Sequence, residues 1–165
     1  DFTWTEMQHS GIDWGDAWRM WAYASSTNCP GRRAIPGARI AYTDEREIQH
    51  ALDGGAMVLV VPTVDTVEEA KEVVPWTYFP PMGRRSAGGS QTNAVLSPWL
   101  NAAGLTNQHY RQTFNNNIVL IVMIETIQGV KNAAAIAKVP GIHGVFAASG
   151  DLGNFSGYSE GDADY

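Results

Sequence analysis

Four residues stand where a sheet-built site would need them. His9 closes an extended-looking run, Asp1–His9, and Arg39 lies at the head of a short apolar segment, Ala38–Tyr42. Glu125 directly follows IVLIVMI (Ile118–Ile124), and Asp151 comes three residues after the segment Ile142–Ala148. If those segments are strands of one parallel sheet, neighbouring strand ends carry an imidazole, a guanidinium and two carboxylates. Two carboxylates with open positions suit a hard divalent ion such as Mg²⁺ or Mn²⁺, which keeps waters for a substrate to displace. A guanidinium beside them suits a planar anion such as a 2-oxo acid. An imidazole moves protons near neutral pH. Each residue also has an ordinary reading. A carboxylate after a strand can cap a helix, and a histidine at a strand end can be structural. The coincidence of all four is what favours chemistry.

The elements that would position them alternate. Ile12–Ala24 reads as a helix, with Trp14, Trp18 and Trp21 at helical spacing. Ser25–Pro36 is loop and Ala38–Tyr42 a strand. Asp44–Leu52 is a helix with Asp44 as its cap and Glu47 three residues on. Ala56–Val64 is a nearly continuous apolar run, the pattern of a strand buried on both faces in a parallel sheet. Asp65–Val74 is a capped helix, and Pro75–Gly89 reads as a long loop. Ser97–Leu105 and Gln108–Phe114 are short helix candidates. Ile118–Ile124 is a second buried strand, Thr126–Lys138 a helix and Ile142–Ala148 a further strand. Leu152–Tyr165 is glycine-rich, acidic and expected to be mobile. Repeated βαβ units give a parallel sheet with right-handed crossovers. Two architectures fit, an open doubly wound sheet and part of a (β/α)8 barrel. No glycine-rich dinucleotide fingerprint follows any strand, which lowers the doubly wound reading.

Composition bounds the function classes. The chain has 165 residues, 44% hydrophobic and 17% charged, with net charge −6. That is enough apolar content for one core. The acidic balance argues against a nucleic-acid surface. No apolar run approaches the ~18 residues of a membrane span, and Asp1–Ser10 does not resemble a signal peptide, so the expected location is cytoplasmic. The single cysteine, Cys29, excludes a disulfide framework and a cysteine-based zinc site.

The motifs, taken in order, resemble the HpcH/HpaI aldolase family. EMQHS (Glu6–Ser10) is similar to the family's acid-His-small turn, and ARIAYTDEREIQHALDGGA (Ala38–Ala56) to the segment with its substrate arginine and a later Leu-Asp-x-Gly. LVVPTVDTVEEAKEVV (Leu59–Val74) and YFPPMGRRSAGG (Tyr78–Gly89) resemble its most regular stretch and its Pro-Pro-x-Gly-x-Arg loop. MIET (Met123–Thr126) and PGIHGVFAASGDL (Pro140–Leu152) resemble the segments bearing its two metal carboxylates. The resemblance implies a (β/α)8 barrel of the phosphoenolpyruvate/pyruvate type and a class II, metal-dependent aldolase. It would cleave or form 4-hydroxy-2-oxo acids through a pyruvate enolate. It implies a divalent metal ion (Mg²⁺ or Mn²⁺, with Co²⁺ as a third option), held by Glu125 and Asp151. It implies His9 as catalytic base, Asp53 raising its basicity, and Arg39 on the pyruvate oxygen. Met123, Ser149, Gly150 and Asp151 would contact substrate, with backbone amides around Gly150 and Asp151 receiving the pyruvate carboxylate. The implied partners are small 2-oxo acids and aldehydes, with no nucleic acid and no membrane, and a homo-oligomer, a trimer or hexamer.

The chain departs from many family members at Gln8, Met123, His143 and the pair Ala148–Ser149. Two other readings therefore stand beside the aldolase: oxaloacetate decarboxylation on the same scaffold, and a non-catalytic 2-oxo-acid-binding module. Arg85, in the expected loop, reads either as a substrate contact or as a solvated side chain. The tryptophans read as packing or a subunit contact, and His50 and His109 as surface residues. A (β/α)8 barrel typically needs about 250 residues. Residues 1–165 are thus expected to form one domain corresponding to about strands 2–6, lacking the first and last two strands, with exposed sheet edges and poor stability alone.

Overall fold

The computed structural model describes residues 2–25, 34–88, 104 and 109–158. Among the described residues, five strands form one sheet in the order β1-β2-β3-β4-β5. They are β1 (Thr5–Glu6), β2 (Gly37–Arg39), β3 (Val58–Val61), β4 (Val119–Ile124) and β5 (Gly144–Ala147). Every pairing is parallel. The helices are α1 (Trp14–Ser25), α2 (Glu45–Asp53), α3 (Val67–Thr77), α4 (Tyr110–Asn117), α5 (Ile127–Ile136) and α6 (Ser149–Ser156). A doubly wound sheet reverses its strand order at a switch point, whereas a (β/α)8 wall runs sequentially. The sequential order is the one observed. The sheet also curves as a barrel wall does. Trp4, beside β1, and Phe146, in β5, bring their rings to 5.9 Å although three strands lie between them. Strands four apart in an eight-stranded barrel face each other across its interior.

Side-chain alternation divides the sheet into two faces. Ala38, Ile40, Leu59, Val61, Leu120, Val122 and Ile124 belong to one buried cluster with the helices. Thr5 points the same way, since its hydroxyl accepts a 2.8 Å bond from Trp21 Nε1 on α1. The intervening residues Glu6, Arg39, Val60, Ile121 and Met123 line the concave face. Trp18 Nε1 donates to His50 O and Trp14 stacks on the His50 ring, so the tryptophan stripe seals α1 onto α2. That is the packing reading of the stripe.

Three helices start from side-chain caps directly after strand ends. Asp44 accepts from Glu47 N, Thr66 and Glu69 form a reciprocal capping box, and Thr126 accepts from Gly129 N. The expected loop at Pro75 begins later than the sequence suggests, because α3 runs through Pro75 to Thr77. Proline there forfeits one helix hydrogen bond. Nearby bonds offset that loss: Thr77 Oγ1 donates to Val73 O, and Arg84 N donates to Pro75 O. The expected mobile segment Leu152–Tyr165 is helical at its start, since α6 runs to Ser156, and residues 159–165 of it lie outside the described residues. Gly153 is buried, and Gly157 ends α6 at φ 80°, a left-handed geometry that glycine adopts without strain. Of the two short helix candidates, the second appears as α4, while Ser97–Leu105 lies outside the described residues apart from Gly104. Cys29 lies outside them too.

Arg85 fits neither of its expected readings. It is 3% exposed, with its guanidinium 4.5 Å from the Phe79 ring centroid and 4.3 Å from that of Phe114. Its Nη2 donates to Asp53 Oδ1 at 2.9 Å. It is therefore a cation between two aromatic rings, neutralised by the last residue of α2. Among the described residues, no helix is long and apolar enough to cross a membrane.

Candidate functional site

Arg39 is the centre of the concave face. It ends β2, is 6% exposed, and meets three carboxylates that arrive from three other strands. Nη1 donates to Glu6 Oε2 at 3.3 Å, from β1. Nη2 donates to Glu125 Oε1 at 3.3 Å, just past β4, and lies 3.9 Å from Asp151 Oδ2, in the first turn of α6 after β5. Charge-assisted bonds of this type typically measure about 2.7–2.9 Å. The guanidinium is thus shared among its partners rather than locked to one. Its Nε is buried without a hydrogen-bond partner.

Glu125 is 2% exposed, and both of its oxygens have protein partners. Thr63 N and Thr63 Oγ1 donate to its Oε2 at 2.5 and 2.9 Å, while Oε1 faces Arg39. The helix-cap reading of Glu125 does not hold, because Thr126 caps α5. Asp151 is half-open, and Ser149 and Gly150 before it are exposed. The first amides of α6 lack a side-chain cap at Ala148, and a Cβ built on Gly150 would meet nothing within 4 Å. Those free N–H groups can accept an anion. Met123, 4% exposed, lies two residues before Glu125 and so on the same face of β4, below the carboxylate.

His9 follows β1 in a turn organised by Glu6. Glu6 Oε1 accepts from Gln8 N at 2.8 Å and His9 N at 3.3 Å, and Ser10 Oγ donates to Glu6 O. The imidazole is exposed at the carboxyl end of the sheet. Asp53 is not brought to this cluster. It ends α2, which runs back to the amino end of β3, and its carboxylate pairs with Arg85.

Two members of the cluster were not singled out from sequence. Glu6 pairs directly with Arg39 in the sheet register, a relation visible only once β1 and β2 are aligned. Thr63 is found through its backbone, which has φ 46°. No residue pattern signals that.

The donor set can be tested against a divalent ion. Glu6, Glu125 and Asp151 face one guanidinium, so the cluster carries formal negative charge in excess. Its donors are hard oxygens. Among the described residues, no group of three or more His, Cys, Asp and Glu side chains is arranged to hold a metal. Two carboxylates with water and substrate oxygens completing the shell are what Mg²⁺ or Mn²⁺ accepts, so the residues fit such an ion.

Comparison with known proteins adds to the geometry. The family model described as HpcH/HpaI aldolase/citrate lyase matches residues 2–163. A 2-dehydro-3,6-dideoxy-6-sulfogluconate aldolase of Pseudomonas putida is 30% identical over 158 residues, 96% of this chain and 57% of the relative. A 2-keto-3-deoxy-L-rhamnonate aldolase of Salmonella paratyphi B is 34% identical over 142 residues, 86% of this chain and 48% of the relative. The crystal structure of macrophomate synthase superposes with a TM-score of 0.76 at 30% identity, covering 100% of this chain and 54% of that one. The chain spans about half the length of the curated relatives it matches.

Proposed function

Because the chain belongs to the HpcH/HpaI aldolase/citrate lyase family, we propose that it carries the site of a divalent-metal-dependent aldolase acting on 4-hydroxy-2-oxo acids. The observation that carries this reading is Arg39, buried at a strand end with Glu6, Glu125 and Asp151 around it and Nε unpaired. A substrate oxygen would satisfy that buried donor.

In this reading the 2-oxo acid binds with its carboxylate on the amides around Gly150 and Asp151. Its oxo oxygen faces Arg39. Glu125 and Asp151 would hold the ion, which supplies Lewis-acid polarisation of that oxygen when bound. In cleavage, His9 takes the proton of the C4 hydroxyl and the C3–C4 bond breaks. The aldehyde departs and the electron pair passes to the pyruvate enolate. Arg39 stabilises the negative oxygen as it forms, which is where an electrostatic donor accelerates the reaction most. Protonation at C3 then gives pyruvate. Aldol cleavage assayed before and after EDTA, then with Mg²⁺ or Mn²⁺ restored, tests the reading. We expect loss and recovery, and activity indifferent to chelation would overturn the metal assignment.

Asp53 can act on His9 only across an assembly, since within one chain α2 carries it toward the opposite end of the sheet. A homo-oligomer, trimeric or hexameric, in which one copy's Asp53 reaches another's His9 reconciles the two. Mixing inactive His9→Ala and Asp53→Ala proteins should then restore part of the activity. Two permanently inactive partners would remove Asp53 from the site.

Oxaloacetate decarboxylation to the same enolate is a second reading. The buried thioether of Met123 favours it, because an apolar wall beside a departing carboxylate promotes its loss as carbon dioxide. Carbon dioxide release from oxaloacetate, compared with pyruvate release from a 4-hydroxy-2-oxo acid, separates the two.

A further inference from the structure

Thr63 is strained, and the chemistry above leaves the strain unused. Among the described residues it is the only non-glycine residue with positive φ, at 46°. A β-branched residue adopts that conformation only when its surroundings impose it. Here they do. Thr43 Oγ1 donates to Pro62 O, and Val64 N donates to Met123 O at 3.1 Å. Asp65 accepts from Thr126 Oγ1 at 2.6 Å through its side chain and from Asn132 Nδ2 at 2.7 Å through its carbonyl. The residues on both sides of Thr63 are therefore pinned.

The strained residue aims two donors at one atom, Glu125 Oε2. A carboxylate oxygen offers about two lone-pair sites, and both are taken. Only Oε1 faces Arg39, on the side where Asp151 also arrives. We propose that Thr63 is a positioning residue that makes Glu125 a one-oxygen donor, and that this sets the site's preference for small hard ions such as Mn²⁺ over Ca²⁺. The inference rests on the reading of Glu125 and Asp151 as the residues that hold the ion. The physical basis is coordination habit. Ca²⁺ takes six to eight oxygens and often both oxygens of a carboxylate, whereas the smaller ions take near-octahedral shells with one oxygen from each.

The backbone N–H survives any substitution except proline, so the hydroxyl is the half that can be removed. Calorimetric titration of the folded protein with Mn²⁺ and with Ca²⁺ measures the effect without reference to turnover. Thr63→Val should weaken Mn²⁺ binding about tenfold, as loss of an outer partner to a ligand commonly does, and Ca²⁺ binding by less. The Mn²⁺/Ca²⁺ affinity ratio should therefore fall. Thr63→Ser should restore both values. Thr63→Gly, which releases the strain along with the hydroxyl, should reproduce the valine result, so a valine variant that misfolds does not decide the matter. An unchanged ratio in Thr63→Val and Thr63→Gly, or a serine variant that falls with them, overturns the proposal. A wild-type protein that binds neither ion instead overturns the assignment of Glu125 and Asp151 on which it rests.

Discussion

The two faces of this sheet are built from the same short strands and do opposite work. The helix-facing side, from Ala38 and Ile40 through Leu120 and Ile124, is apolar and closed by packing. The concave side is apolar too, with Val60, Ile121 and Met123, until the ends of β1, β2 and β4. There it turns into Glu6, Arg39 and Glu125, joined by Asp151 from α6. Alternation means that one residue's shift in register would exchange the faces. The contrast teaches that the packing face fixes the register which the charged face needs. Substitutions on the two faces should therefore separate cleanly.

The largest effect should come from Arg39→Ala. In the proposed reaction it removes the donor on the developing enolate oxygen, and kcat/KM for aldol cleavage should then drop by about 10²–10³. Steady-state kinetics on protein verified as folded by circular dichroism checks this, and near-normal turnover would break the contrast. Leu120→Ala, on the helix-facing side, should cost about 2–5 kcal/mol in denaturant unfolding. The turnover of its folded fraction should stay near wild type. Glu6→Gln keeps an acceptor for the amides of Gln8 and His9 but removes one charge beside Arg39. A loss of about tenfold in kcat/KM with little change in stability is expected, since Glu6 is partly exposed.

The smallest effect lies at Tyr78, far from the cluster. Burial pushes its phenol from 10.0 up to about 12. The folded state thus holds a proton that the unfolded chain releases, so this contribution is intact below pH 10 and lost as pH rises toward 12. Thermal melts of wild type and Tyr78→Phe at pH 7 and above pH 10 should show a steeper alkaline decline for wild type. At pH 7 the variant should be slightly less stable, having lost the 2.7 Å bond to Gly141 O.

Much of this was legible in the chain itself. Val58–Val61 and Val119–Ile124 announce themselves as continuous apolar runs, and the cap at Asp44 marks a helix that follows a strand. His9, Glu125 and Asp151 could be singled out because each stands at or just after the end of an expected strand, whereas Arg39, near the start of its expected strand, comes to the strand end because β2 closes there. Pro75 was misleading, since tertiary bonds to Arg84 carry a helix through a residue that usually stops one. The glycines of Leu152–Tyr165 misled in part, because Gly153 is buried within α6 and Gly157 ends that helix. Glu6 depends on strand pairing and Thr63 on a dihedral angle, and neither is written in residue types. Arg85 looked like a loop cation and is buried because Phe79, Phe114 and Asp53, distant in sequence, converge on it.

In the proposed function, the concave cluster at the strand ends forms and stabilises a 2-oxo-acid enolate. Exchange of the pyruvate methyl protons in deuterated water, followed by NMR with Mn²⁺ or Mg²⁺ present, tests it without knowledge of the aldehyde. The wild-type protein should show measurable exchange, abolished by Glu125→Gln and retained by the folded fraction of Leu120→Ala. No exchange by the wild type, or exchange undiminished in Glu125→Gln, would contradict it.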